Sequence, residues 1–161
     1  MITWYAAGAV FVVWNVFQSG GLDVRAIALG GLAPLLVDAP FGEQRHGHTL
    51  LAAVVALMVV MVVTARPGKR GRRLLRRHLI GFPIGWFCGL ALSGAFAHDH
   101  TFWWPVRGRT FEGASLWPSW PVAVALEAVG LLALRWCWIR FRLGDRSRRR
   151  ALWRRGRVVV G

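Results

Sequence analysis

Two long apolar runs without any charge constrain this chain more than any other feature of its sequence. Residues 49–65 read TLLAAVVALMVVMVVTA, and residues 79–97 are equally free of Asp, Glu, Lys and Arg. A helix of that length nearly crosses the hydrocarbon layer of a bilayer, which is about 30 Å thick. Apolar residues make up 55% of the chain and charged residues 17%, which excludes a disordered chain and argues against an ordinary soluble domain. The sequence therefore predicts an integral membrane protein.

Five apolar stretches are candidates for membrane-spanning helices, and together they fill most of the chain. They are residues 2–17, 24–37, 49–65, 79–97 and 122–139. The second is either a short tilted span or a half-helix buried against its neighbours, because it is short and contains Gly30, Gly31 and Pro34. The predicted fold class is all-α, a bundle of four to five transmembrane helices over residues 1–139, followed by a basic tail over residues 140–161.

The basic residues predict the orientation of the bundle. Residues 66–77 contain seven Lys and Arg, and residues 140–157 contain nine. Such clusters stay on the cytoplasmic side, so the nearly neutral loops 39–48 and 98–118 face outward. We expect a multi-pass protein of a bacterial inner (plasma) membrane with a cytoplasmic C-terminus. The N-terminus lies outside if there are five spans and inside if the second stretch does not cross.

The same charges predict which partners the chain has. The formal net charge is +14, from 21 Lys and Arg against seven Asp and Glu. Beside a bilayer, the clusters at 66–77 and 140–157 are typical of contacts with anionic lipids. Binding of nucleic acid by the tail is a generic alternative that the sequence does not favour. The oligomeric state cannot be read from the sequence.

The fourth apolar stretch carries a ridge of small residues at every fourth position. Gly81, Gly85, Gly89, Ser93 and Ala97 fall on one face of a helix. Such a face lets a neighbouring backbone approach closely, which is how helices pack in membranes. The ridge predicts that this helix is central in the bundle.

Most candidate metal ligands fall on the predicted outer side of the membrane. They are Asp38 after the second stretch, His46 and His48 before the third, and His98, Asp99 and His100 after the fourth. Imidazole and carboxylate groups bind zinc or manganese, and an open position on the ion would hold a water with a pKa near about 7. The alternatives are that these are ordinary loop residues and a solvated helix cap, or that Arg45 and the histidines bind a lipid phosphate.

Glu127 is the one carboxylate predicted to lie inside the outer half of a span. An ionisable side chain there is costly and faces the bundle interior, where it needs a partner. We take Glu127 as the candidate catalytic carboxylate. The alternative is a protonated Glu that hydrogen-bonds to a neighbouring helix.

Two segments of the chain resemble a known family. LAPLLVDAPFGEQRHGHTLL (residues 32–51) and LIGFPIGWFCGLALSGAFAHDHTFWWPVRG (residues 79–108) resemble segments of a family of LexA-regulated inner-membrane proteins described as metal-dependent hydrolases. The resemblance implies that Asp38 is the family's first acid, that His48 is its histidine before Ser-Leu, and that His46 is a shifted remnant of its His-Arg-Gly element. The chain departs from the family where Gly89 and Ser93 replace a His and an Asp.

Two functions follow from these residues. In the first, the chain is a metal-dependent hydrolase-like membrane protein, with an outward-facing site of Asp and His that acts on a lipid or envelope precursor. In the second, it is a non-catalytic bundle that has lost activity and serves as a structural or partner protein. The retained Asp38 and His48 favour the first, and the replaced Gly89 and Ser93 favour the second.

Overall fold

The computed structural model describes residues 1–18, 22–65, 75–76, 78–108, 110–111 and 113–156. These residues form helices and no strand, which confirms the all-α prediction. The α-helices are α1 (Ile2–Phe17), α2 (Val24–Asp38), α3 (Leu50–Ala65), α4 (Gly81–Ser93), α5 (Asp99–Phe102), α6 (Trp120–Arg140) and α7 (Arg146–Arg155), with 3-10 turns at His46–His48 and Ala95–Ala97. The second stretch, for which the sequence allows a short span or a half-helix, is one continuous helix that includes Pro34.

Helices α1 and α6 run in the same direction along each other. At the start of α1, a methyl group placed on Gly130, in the middle of α6, would lie 2.3 Å from the backbone nitrogen of Trp4. Further along, the rings of Phe11 and Trp136 are 4.8 Å apart. Because contacts advance together in both helices, the two are parallel.

The other long helices alternate in direction. Helix α2 is antiparallel to α1, because Ile27 packs in a cluster with Val13 and Leu35 packs with Tyr5. Helix α4 runs parallel to α2. Helix α3 is antiparallel to α4, since Ala53 at its start packs with Leu90 near the end of α4. The direction therefore reverses at each step from α1 through α4, and α6 runs like α1.

This alternation gives the bundle two chemically different ends. At one end, the polar end, lie Asp38, the turn His46–His48, α5 and the start of α6. At the other, the basic end, lie Arg25, Arg76, Arg140 and helix α7. Most of the basic loop 66–77 and the final Arg157 lie outside the described residues.

Three glycines of α4 meet the backbone of α2, as the small-residue ridge predicts. A methyl group on Gly85 would lie 2.2 Å from the carbonyl oxygen of Ile27, and one on Gly89 would lie 2.5 Å from that of Gly31. Real Cβ atoms do not approach an oxygen so closely, so the contact requires glycine. The predicted ridge is too long at its far end. Helix α4 ends at Ser93 because Gly94 adopts a left-handed φ of 69°, and Ala97 lies in the following 3-10 turn.

One helix among the described residues is long and apolar enough to cross a membrane. This is the 21-residue helix α6, which contains an 18-residue window with a mean hydropathy of 1.8, and only 11% of that window is buried inside the protein. Helices α1, α3 and α4 are apolar but shorter. Exposed apolar side chains cover the outer faces of α1 and α3, among them Val16 at 69% and Val62 at 66% exposure. Large apolar surfaces of this kind require an apolar environment or a partner.

Asp23 joins three segments at the basic end. Its carboxylate accepts a hydrogen bond from the backbone N–H of Arg25 and thereby caps α2. It also pairs with the Arg25 guanidinium at 3.0 Å and with Nδ1 of His78 at 2.9 Å. The backbone N–H of Val24 donates to the carbonyl of Gly156 at 2.9 Å, so the tail after α7 is attached here.

Asp23 is expected to make stability depend on acid pH. Burial acts to raise the pKa of this carboxyl, but hydrogen bonds from Arg25 and His78 outweigh it and hold the pKa below its usual range. A lowered pKa stabilises the fold at neutral pH, and this contribution is lost as the pH falls from about 4 through the folded-state pKa. Thermal unfolding of the wild type and Asp23→Asn across pH 3–7 measures it. We expect the Tm gap to close towards pH 3, and a constant gap would contradict the assignment.

Candidate functional site

Asp38 and His48 form a fully buried pair at the polar end. Asp38 is the last residue of α2, and His48 ends the 3-10 turn that precedes α3. Their side chains have no exposed area, and Nδ1 of His48 lies 2.7 Å from Oδ2 of Asp38. The sequence predicted both residues for one site, and the structure brings these two together.

The chain after α2 folds back so that its backbone surrounds the Asp38 carboxylate. The backbone N–H groups of Arg45, Gly47 and His48 donate to its two oxygens at 2.7, 2.9 and 3.2 Å. Gly47 must be glycine, because a methyl group there would lie 2.6 Å from the carbonyl oxygen of Pro34. The indole N–H of Trp86 on α4 donates to the carbonyl of Gly47 at 3.0 Å and holds the turn from the other side.

The pair leaves one nitrogen of His48 available for chemistry. An ionised carboxylate only accepts hydrogen bonds, so the Asp38 contact places a proton on Nδ1, and in the neutral imidazole the lone pair then lies on Nε2. Nε2 of His48 is buried and has no hydrogen-bond partner among the described residues. Buried polar atoms are nearly always paired, so the unpaired imidazole nitrogen makes His48 the candidate for a functional group at this end. An imidazole held this way is suited to accept a proton or to bind a metal ion.

His46 turns away from this pair into an aromatic cluster. Its ring packs edge-on against Trp104 at 5.5 Å and against Phe111 at 4.8 Å between centroids. Trp104 and Phe111 stack on each other at 5.7 Å. Two more buried polar atoms, Nε1 of Trp104 and Oε1 of Gln44, lack a partner in the part of the chain that the structure describes.

The two loops of the polar end pair with each other. The N–H of Gln44 donates to the carbonyl of Ala114 at 2.8 Å, and the N–H of Leu116 donates to that of Gly42 at 3.1 Å. Leu116 is buried against Tyr5 and Leu35. This pairing ties the chain segment before α6 to the segment that carries the Asp38 and His48 pair.

The remaining candidate ligands do not join the pair in a metal-binding group. Asp99 forms an ion pair with Arg107, and both side chains are more than half exposed. His98 precedes α5, and His100 is exposed within it. Within the described ranges, no group of three or more His, Cys, Asp or Glu side chains is placed to hold one ion. The predicted six-residue metal site is therefore not assembled in this arrangement.

Glu127 has its partners at the start of the neighbouring helix α1. Its carboxylate lies 2.7 Å from the amino group of Met1 and 3.4 Å from the N–H of Thr3. The expectation that this carboxylate needs a partner agrees with the structure. Its catalytic role stays a prediction.

Gly89 and Ser93, which replace a His and an Asp of the resembled family, have packing roles here. The backbone of Gly31 lies too close to Gly89 for any side chain at that position. The hydroxyl of Ser93 donates to the carbonyl of Leu90 at 2.9 Å, within the same helix. Gly89 therefore packs against α2 and Ser93 bonds within α4, so neither position offers the ligand that the resemblance implies.

Comparison with family models, with curated proteins and with solved structures finds no match to this chain. The resemblance to the LexA-regulated family therefore stays a prediction from the two quoted segments. Sequence reasoning missed the parts played by Gly47, Trp86, Trp104 and Phe111. The glycine between two histidines was the one local sign that the backbone turns tightly there.

Proposed function

We propose that this chain is a multi-pass protein of a bacterial inner membrane that crosses the bilayer five times. The alternating directions of α1 to α4, together with α6, support it, because each reversal returns the chain to the opposite end. The polar end then faces outward with the N-terminus, and the basic end faces the cytoplasm, as the positive-inside rule requires. Helices α1 to α4 are only about 20–24 Å long at 1.5 Å per residue, so their flanks and local thinning of the bilayer make up the difference.

The basic end is proposed to contact anionic lipids. Helix α7 follows a short turn after α6 and carries the exposed residues Arg146, Arg149 and Arg150. Asp145 caps α7 through the N–H of Ser147 at 2.9 Å, which orders the helix beside the membrane. Each such cation contributes about 1 kcal/mol near an anionic leaflet.

At the polar end we propose a hydrolase-like centre, with Nε2 of His48 as its reactive atom. The observation that carries this proposal is the buried pair itself, in which Asp38 holds Nδ1 of His48 at 2.7 Å and leaves Nε2 without a partner among the described residues. In hydrolysis of an ester or phosphoester of a lipid or envelope precursor, Nε2 would take the proton of the attacking water. Asp38 would then stabilise the resulting imidazolium. Because Nε2 is enclosed, a substrate can reach it only if the segment 39–49 opens, or if the loop that carries Trp104 and Phe111 opens.

A divalent ion, zinc or manganese, would bind through His48 if it binds here. The fit is incomplete, because both oxygens of Asp38 are taken by backbone amides and by the imidazole, which leaves Nε2 as one ligand. An ion would supply a Lewis acid and an activated water. Further ligands would have to come from His46 or from the segment 98–100 after a rearrangement.

The second candidate function is a non-catalytic bundle that serves as a structural or partner protein. The contact between Gly89 and Gly31 favours it, because it leaves no room for a ligand side chain on α4. In that case the Asp38 and His48 pair only fixes the turn between α2 and α3.

The two candidates differ in what a His48→Ala variant changes. We expect wild-type protein in detergent to hydrolyse p-nitrophenyl butyrate or bis-p-nitrophenyl phosphate, and His48→Ala to lose about 100-fold or more of that rate. Ser119→Ala, an exposed polar residue of the same end whose side chain does not cap α6, is the control and keeps the rate. Elemental analysis of the same samples tests whether about one equivalent of zinc or manganese is present and lost in His48→Ala. Equal rates and no metal in all three proteins would favour the non-catalytic bundle.

A further inference from the structure

An apolar groove of about 440 Å³ lies between α1, α4 and α6, away from the Asp38 and His48 pair. Gly8 and Phe11 of α1 form one wall, Leu132 and Trp136 of α6 form the other, and Leu92 of α4 lies between them. The side chain of Leu132 is 64% exposed, so the groove opens on the outer surface of the bundle.

The shape of the groove depends on Gly8. A methyl group on Gly8 would lie 3.0 Å from Cδ1 of Leu92, so the missing side chain is what leaves space above Leu92. The indole N–H of Trp4 donates to the carbonyl of Leu92 at 3.1 Å. This contact closes the groove on the side that faces the polar end of the bundle. Phe11 and Trp136 lie edge to face at the other end. The lining therefore offers apolar contacts and no polar side chain for a polar ligand.

Arg140 places a positive charge beyond the groove, on the side that faces the basic end. Arg140 follows Trp136 by four residues and Leu132 by eight, which places it on the same face of α6. It is exposed, and no carboxylate of the described residues forms an ion pair with it. Asn15 stands at the corresponding place on α1, four residues after Phe11, with its amide donating to the carbonyl of Phe11 at 2.8 Å.

We propose that this groove binds one acyl chain of an anionic phospholipid of the cytoplasmic leaflet, with the phosphate at Arg140. An apolar cleft that ends in a cation at headgroup depth complements a lipid with an anionic head and a long apolar tail. Acyl chains in a bilayer are already out of water, so specificity comes from packing in the groove and from the charge at Arg140. The inference rests on the proposed membrane topology.

Lipid titration by native mass spectrometry tests the proposal with two variants. We expect the wild type in detergent to bind phosphatidylglycerol at least fivefold more tightly than phosphatidylcholine. Val12→Trp fills the mouth of the groove and is expected to weaken binding of both lipids by fivefold or more. Arg140→Gln is expected to remove the preference for phosphatidylglycerol. Leu131→Trp, on the opposite face of α6, and Arg107→Gln, at the polar end, are the matched controls and should bind like the wild type.

Several outcomes would overturn the inference. Equal affinity of the wild type for the two lipids would contradict the proposal that Arg140 selects an anionic headgroup. Loss of the preference in Arg140→Gln without any effect of Val12→Trp would indicate a surface charge contact and no groove. Carbonate washing of the membranes separates this failure from a failure of the proposed topology. Release of the wild type by the wash would contradict the membrane proposal itself, whereas retention with unchanged lipid binding would contradict only the groove.

Discussion

Asp38→Ala is expected to lower the free energy of unfolding by about 3–5 kcal/mol, because each buried donor left without a partner costs about 1–3 kcal/mol. In a chain of this size that corresponds to a fall in Tm of roughly 6–20 °C. The physical reason is that three backbone N–H groups and Nδ1 of His48 all donate to this one carboxylate. Without it they stay buried and unpaired, and the turn before α3 loses its anchor. Thermal unfolding of the detergent-solubilised protein, followed by aggregation or tryptophan fluorescence, measures the shift.

Asp99→Ala is the matched control for this prediction. Asp99 also pairs with a basic group, Arg107, but both side chains are more than half exposed to solvent. Exposed ion pairs contribute about 0–1 kcal/mol, so the Tm of this variant should stay within a few degrees of the wild type. Equal Tm values for Asp38→Ala and Asp99→Ala would mean that the buried pair does not organise the polar end.

Gly85→Ala is expected to destabilise the bundle by about 3 kcal/mol or more, at the upper end of what overpacking costs. The added methyl group would lie 2.2 Å from the carbonyl oxygen of Ile27, which belongs to the backbone of a neighbouring helix. A flexible side chain could move aside, but here α2 and α4 must separate along their whole contact. Both the Tm and the yield of folded protein in detergent should fall.

Gly144→Ala provides the control for the glycine substitution. Gly144 lies in the turn between α6 and α7, and no atom lies within 4 Å of a methyl group placed there. The same chemical change should therefore leave the Tm unchanged or raise it slightly, because alanine restricts the unfolded chain. A similar loss in both variants would contradict the close packing of α2 against α4.

Helix positions in this chain follow from its apolar runs, because each run is long and bounded by charges, glycines or prolines. The predicted stretch 2–17 coincides with α1, and the stretch 122–139 lies within α6 (Trp120–Arg140). The prediction for 79–97 was wrong at its C-terminal end. There Gly94 takes a left-handed conformation and ends α4. A hydropathy pattern does not predict the backbone conformation of a single glycine.

The site was harder to predict than the helices, because it depends on how a loop folds back. Asp38 and His48 were identified as members of one site, but Asp38 was expected to bind a metal ion directly. Its oxygens instead accept hydrogen bonds from three backbone N–H groups that lie within the next ten residues of the chain. That arrangement rests on the tight turn at Gly47 and on the Trp86 hydrogen bond, neither of which has a periodic signature in the sequence. The aromatic contacts of His46 depend on a distant loop in the same way.

Thiol labelling of intact spheroplasts tests the central proposal, an outward-facing polar end on a five-span bundle, most directly. In a background of Cys88→Ala and Cys137→Ala, a single cysteine is placed either at Ser115, in the exposed loop of the polar end, or at Gly144, in the exposed turn at the basic end. A membrane-impermeant maleimide should label Ser115→Cys in intact spheroplasts, and Gly144→Cys only after lysis. Labelling of both positions before lysis, or the reverse order, would contradict the account.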